Sequence, residues 1–167
     1  ESLHALLMRL TRLDEKRLEA RLAEIDEVSG GAPFPGALDR MLTSEQVRRL
    51  CNDPWLSFGA HGHRHYALPP LSEEALLAEL RRPREILQDL AGRGYVDVVA
   101  YPFGQNRSVT DEVTQKAADV GYRAGFSAMP GVARPSDNLY RLSRLGLDAK
   151  TRAVDADALH GLNHALD

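Results

Sequence analysis

Apolar residues recur at three- and four-residue steps over the opening of the chain. Leu3, Leu6, Leu7, Leu10, Leu13, Leu18, Leu22 and Ile25 are separated by Arg, Glu, Lys and Asp. That period predicts helix over residues 3 to about 28, with a break near Asp14 that divides it in two. Residues 29–36, Ser-Gly-Gly-Ala-Pro-Phe-Pro-Gly, are a loop by composition. Thr43-Ser44-Glu45-Gln46 then spells a capping box and starts a short helix to about Cys51, ended by Asn52-Asp53-Pro54. Residues 56–60 form an apolar run short enough for a buried strand, and the double proline Pro69-Pro70 prevents a regular element soon after it.

Ser72 can cap a further helix, with Glu73 and Glu74 at the positive end of its dipole. Its apolar positions are Leu76, Leu80, Ile86, Leu87 and Leu90, its stop is Gly92, and Pro83 predicts a kink or a boundary inside it. Residues 96–100 read as a buried strand, 101–108 as a loop, and 110–120 as a helix ended by Gly121. A strand over 124–128, a turn at Met129-Pro130-Gly131, a last strand over 142–147 and an aspartate-capped terminal helix over 155–166 complete the pattern. Strands alternating with helices predict parallel pairing through helical crossovers, hence an α/β sheet or barrel.

Composition narrows the class. A chain of 167 residues with 43% hydrophobic and 27% charged residues suits one globular domain with a sizeable core. A formal charge of -3 gives no sign of a nucleic-acid footprint, and no nucleic-acid partner is expected. No apolar run approaches a bilayer span, and no signal-peptide pattern opens the chain. Cys51 is the single cysteine, which excludes an intrachain disulfide and a cysteine zinc cage.

Candidate chemistry concentrates at the end of the first strand. Three of the six histidines, His61, His63 and His65, stand two residues apart there. In a helical turn His61 and His65 share a face; in an extended chain all three point to one side. Either geometry lets imidazole nitrogens converge on a cation, and the spacing favours a ligand pair over a chance surface cluster.

The residues around this cluster carry a family resemblance. His61 to His65 resembles the His-(Ser/Thr)-x-x-His metal motif of polysaccharide deacetylases, the nodulation-factor deacetylase homology domain of carbohydrate esterase family four. Tyr101-Pro102-Phe103-Gly104 resembles that family's Arg-x-Pro-(Tyr/Phe)-Gly motif. Residues 118–126 look like its helix-to-strand step, and Leu142-Ser143-Arg144-Leu145 like its late Leu-Pro-Arg strand. The resemblance spans roughly residues 40 to 148.

It implies an irregular (β/α)7-type barrel, here partial and lacking its first strands. It also implies a metal-dependent hydrolase that removes N- or O-acetyl groups from a polysaccharide or oligosaccharide. The implied metal, most often zinc, is held by two histidines, which map to His61 and His65, and by an aspartate. The implied oxyanion donor is the Phe103 N–H, while Tyr101 and Pro102 shape the substrate pocket. Export or a place in the cell envelope is implied as well.

The departures are specific. The family's Thr-Phe-Asp-Asp motif supplies the base and the third ligand, yet no Asp-Asp pair occurs in this sequence. The expected reading is therefore one incomplete domain: residues 1–40 a helical insertion and loop, 41–148 the motif-bearing part, 149–167 a terminal helix. Little hydrolysis is expected of these residues alone, and exposed sheet edges favour self-association. Gly62 stands where Ser or Thr is usual, and Ala100 where Arg is usual, so Arg144 is the candidate replacement charge.

His63 falls at a variable motif position, and His160 and His164 are expected to face solvent. Trp55, Tyr66 and Tyr122 are expected to pack, Asp97 to flank a strand, and Asp111 to sit in a helix's first turn. Two other readings stand beside the deacetylase: a non-catalytic barrel that binds glycan or a partner, and a metal-dependent amidase acting on a small molecule.

Overall fold

A computed structural model of the chain describes residues 13, 15–29 and 41–145. The expected terminal helix, His160, His164 and the helical pattern ahead of residue 13 lie outside these residues. Helix α1 spans Glu15–Ser29, beginning at the break expected near Asp14. Helix α2, Ser44–Leu50, starts at Thr43 with both halves of the capping box formed: Gln46 N–H donates to the Thr43 hydroxyl, and the Gln46 side chain accepts from Thr43 N–H.

Four strands follow, interleaved with two longer helices. They are β1 (Phe58–Ala60), α3 (Glu73–Ala91), β2 (Tyr95–Ala100), α4 (Asp111–Val120), β3 (Ala124–Pro130) and β4 (Leu142–Arg144). The strands form one sheet in the order β1-β2-β3-β4, parallel at every pairing. The expected α/β class is thus observed, and the sheet fits part of a barrel. Because all four strands run the same way, their carboxyl ends meet along one edge, where open α/β sheets carry their ligand sites.

Several boundaries differ from the pattern reading, each for a physical reason. Pro83 neither ends nor divides α3, which continues to Ala91. The ring lies buried on the same face as Leu76 and Leu80, so packing sustains the helix although one backbone hydrogen bond is lost. Met129 and Pro130 belong to β3 rather than to a turn, and the chain bends at Gly131. The last strand is short, and residues beyond 145 lie outside the description.

The run 56–60 is not a buried strand throughout: only Ala60 is buried, since β1 borders the described sheet and pairs with β2 alone. Trp55, expected to pack, is 92% exposed. A large aromatic ring is driven inward only where the fold brings apolar surface against it, which sequence position alone does not decide.

The core lies between the sheet and α3 and α4, around Leu68, Leu80, Val99, Tyr101, Val113 and Tyr122. Each buried Leu or Val contributes about 1.5–3 kcal/mol. Tyr122 packs as expected, and its hydroxyl donates to the Leu80 carbonyl at 2.7 Å, stitching β3's approach to α3. Replacing Tyr122 with Phe should lower stability by about 1 kcal/mol, read as a shifted urea midpoint with unchanged slope. A gain in stability would show that this buried bond has no net value.

Candidate metal centre

The histidine turn follows β1 directly, and it is neither helical nor extended. Gly62 takes φ +75° and His65 φ +61°, so the chain doubles back within five residues. Gly62 also explains the missing hydroxyl side chain in physical terms. A Cβ there would stand 3.0 Å from the Pro102 ring in a backbone conformation L side chains rarely adopt. The turn brings the rings of His61 and His65 together, centroids 4.8 Å apart and planes inclined by 70°. Both side chains are exposed, open to the carboxyl edge of the sheet.

The tautomer of His61 follows from its partner. Its Nδ1 lies 2.7 Å from the Ala100 carbonyl, which only accepts, so Nδ1 carries a proton and Nε2 is the ring nitrogen left for a ligand. Partial burial lowers the pKa of His65, and the neighbouring His61 lowers it further. The neutral, ligating form of that imidazole is favoured accordingly. Two imidazoles set edge to face at this distance are nitrogen donors of the kind a divalent cation such as zinc takes. Among the described residues, no third His, Cys, Asp or Glu joins them.

The second motif lies beside the first. Phe103 packs edge-on against His65, centroids 5.0 Å apart. Phe103 has φ +61°, and it and His65 are the only non-glycine residues with positive φ among the described residues. Strained backbone at two adjoining turns marks a place where the conformation itself is used. The Phe103 N–H meets no backbone acceptor among the described residues. Gly104 holds the turn to the sheet: its carbonyl accepts from Ala128 N–H at 2.7 Å.

Tyr101 and Pro102 are both fully buried. The Tyr101 hydroxyl donates to the Tyr140 carbonyl at 2.9 Å, and burial pushes its pKa well above the ordinary phenol value. Tyr101 therefore reaches the site as a support beneath the turn, with its ring in the core.

Other candidates stand apart. Arg144 is on β4, three strands from β1 or about 14 Å by ordinary strand spacing, and its Nε donates to the Ser127 carbonyl at 2.6 Å. Asp97 is paired with Arg84 at 2.9 Å, and Asp111 with Arg141 at 2.9 Å, so both acids are engaged away from the histidines. His63 is exposed between the two candidate ligands. Arg64 bonds Glu19 of α1 at 2.7 Å and lies over the Tyr66 ring, which is half-buried.

The pattern reading missed Glu79. This residue is 5% exposed, and its Oε2 accepts from the backbone N–H groups of His63 (3.1 Å) and Arg64 (2.9 Å). The signal was present, since an acid at a position flanked by Leu76 and Leu80 on the inward face of a helix needs a partner.

Comparison with known proteins agrees with this geometry. The polysaccharide deacetylase family matches residues 13–125, starting ahead of the motifs traced from residue 40. No curated protein matches the chain. Among solved structures, the Streptococcus pyogenes deacetylase PplD in complex with acetate is similar, with a TM-score of 0.61 and 21% identity. That likeness covers 78% of this chain and 53% of PplD, so the chain spans about half the length of this solved structure. At that identity it speaks for the fold, an α/β sheet shared with a deacetylase. With the family match extending over most of the chain, and with both motifs placed side by side at the carboxyl edge of the sheet, the chain belongs to the polysaccharide deacetylase family.

Proposed function

We propose that this domain is part of a metal-dependent hydrolase that removes N- or O-acetyl groups from a polysaccharide or oligosaccharide. The observation that carries the reading is the pairing of His61 and His65 beside the Phe103 turn. In this reading both histidines hold a divalent cation, zinc by preference. When bound, that cation supplies Lewis acidity, lowering the pKa of water and polarising the acetyl carbonyl.

The chain's own residues do the rest. The Ala100 carbonyl fixes the His61 tautomer, and the Phe103 ring limits where the His65 imidazole can swing. The Phe103 N–H faces the charge that develops on the acetyl oxygen. Pro102 and Tyr101, both buried, brace the Phe103 turn from beneath. Arg144, the candidate replacement charge, is anchored to the Ser127 carbonyl, next to the Ala128 that holds Gly104, and so supplies positive charge on the β3–β4 side of the turn. Because no Asp-Asp pair occurs in the 167 residues, the proton-accepting carboxylate and the third ligand are left to be supplied by other polypeptide, and hydrolysis by these residues alone is expected to be slight. The border of β1, which pairs with no further strand among the described residues, is where such a chain would associate with itself.

The direct test is deacetylation of acetylated chitooligosaccharides by the full-length protein. A strong chelator should abolish acetate release, and added zinc or cobalt should restore it. Turnover that persists through exhaustive chelation would remove the metal from the mechanism. Glycan binding without acetate release at any metal loading would point instead to the non-catalytic barrel.

A further inference from the structure

We propose that Glu79 is the positioning residue of the histidine turn: its carboxylate, set in the core face of α3, fixes the backbone from which His61 and His65 project. The inference rests on the metal reading above for its consequence, though not for its geometry. One carboxylate oxygen takes two consecutive amides, His63 at 3.1 Å and Arg64 at 2.9 Å. Successive N–H groups converging on one anion define a local backbone curve far more tightly than a single bond does. The two residues so held lie between the candidate ligands, and His65 takes φ +61° directly after them. An energetically unfavourable conformation of this kind persists only where surrounding contacts over-determine it.

Glycine at position 62 fits the same arrangement. Gly62 offers no side chain to orient the turn, and a Cβ there would stand 3.5 Å from Glu79 Oε2. The orienting contact therefore comes from the helix. Glu79 borders a groove of about 320 Å³ that also touches His63, Arg64, Ser72 and Arg82. A groove of that size admits water, so removing the carboxylate leaves the two amides solvated. The expected effect falls on the order of the turn more than on global stability.

The test uses the full-length protein with Glu79→Ala and Glu79→Gln, read in two ways. Without metal, Glu79→Ala should speed hydrogen exchange at the His63 and Arg64 amides by on the order of tenfold or more, with Glu79→Gln intermediate because its amide oxygen still accepts. With cobalt(II), followed by its visible absorption, Glu79→Ala should weaken binding by about ten- to a hundredfold, and Gln should restore part of the affinity. Unchanged exchange overturns the proposal, and so does unchanged cobalt affinity in a protein that binds cobalt. Should neither the wild type nor a variant take up cobalt, the metal reading fails by itself while the exchange rates still decide the positioning role. If the alanine variant does not fold, the isosteric glutamine variant carries the comparison, with a several-fold change in exchange expected and no change overturning it.

Discussion

Replacing His61 or His65 with alanine in the full-length protein is expected to lower deacetylation by on the order of a thousandfold. A cation at such a site is worth several kcal/mol of transition-state stabilisation, and about 4 kcal/mol corresponds to three powers of ten in rate. The fold should survive, because both side chains are exposed and no described core residue rests on them. His61→Ala removes the 2.7 Å bond to the Ala100 carbonyl, a loss of about 1 kcal/mol in stability. His65→Ala removes the edge contact with Phe103 and should free that ring. Measuring kcat and KM beside the thermal midpoint separates the two effects. Rates within threefold of wild type for either variant would end the case for this pair as ligands.

Gly104→Ala should be the most damaging single methyl group in the second motif. An added Cβ would meet the Ala128 nitrogen at 2.5 Å and its Cβ at 2.7 Å, and the first of these is backbone that cannot swing aside. The residue's φ of +59° adds a penalty of its own for any L side chain. Together these predict a loss of about 2–4 kcal/mol by urea unfolding. The same clash pushes the turn off β3 by breaking the 2.7 Å bond from Ala128 N–H to the Gly104 carbonyl. Phe103 N–H would then point away from its place, so kcat should fall even in the folded fraction. A change under about 0.5 kcal/mol would mean that the turn relaxes freely and is not held by the sheet.

Much of the fold was legible because local signals and tertiary contacts agree there. The Thr43 capping box, the Ser72 cap and the Gly121 stop all lie where the side-chain pattern puts them. Pro83 marks no boundary for the opposite reason: its local cost is real, but burial beside Leu80 outweighs it, and sequence period says nothing about that balance. Trp55 failed similarly, since hydrophobicity predicts a wish for burial without saying whether a neighbour is present. At the site, histidine spacing identified the pair but offered two regular geometries, and the turn adopts neither. Glu79 is fourteen residues beyond His65 in sequence, and only folding of α3 against β1 places it under the turn.

The hydrogen bond from His61 to residue 100 reaches a main-chain oxygen. Every amino acid supplies that oxygen, so the imidazole's proton stays on the same nitrogen whichever side chain occupies the position. A substitution at residue 100 can therefore change the charge beside the turn while the His61 ring stays anchored by the same oxygen. Local electrostatics and imidazole orientation are thus separable at this single residue.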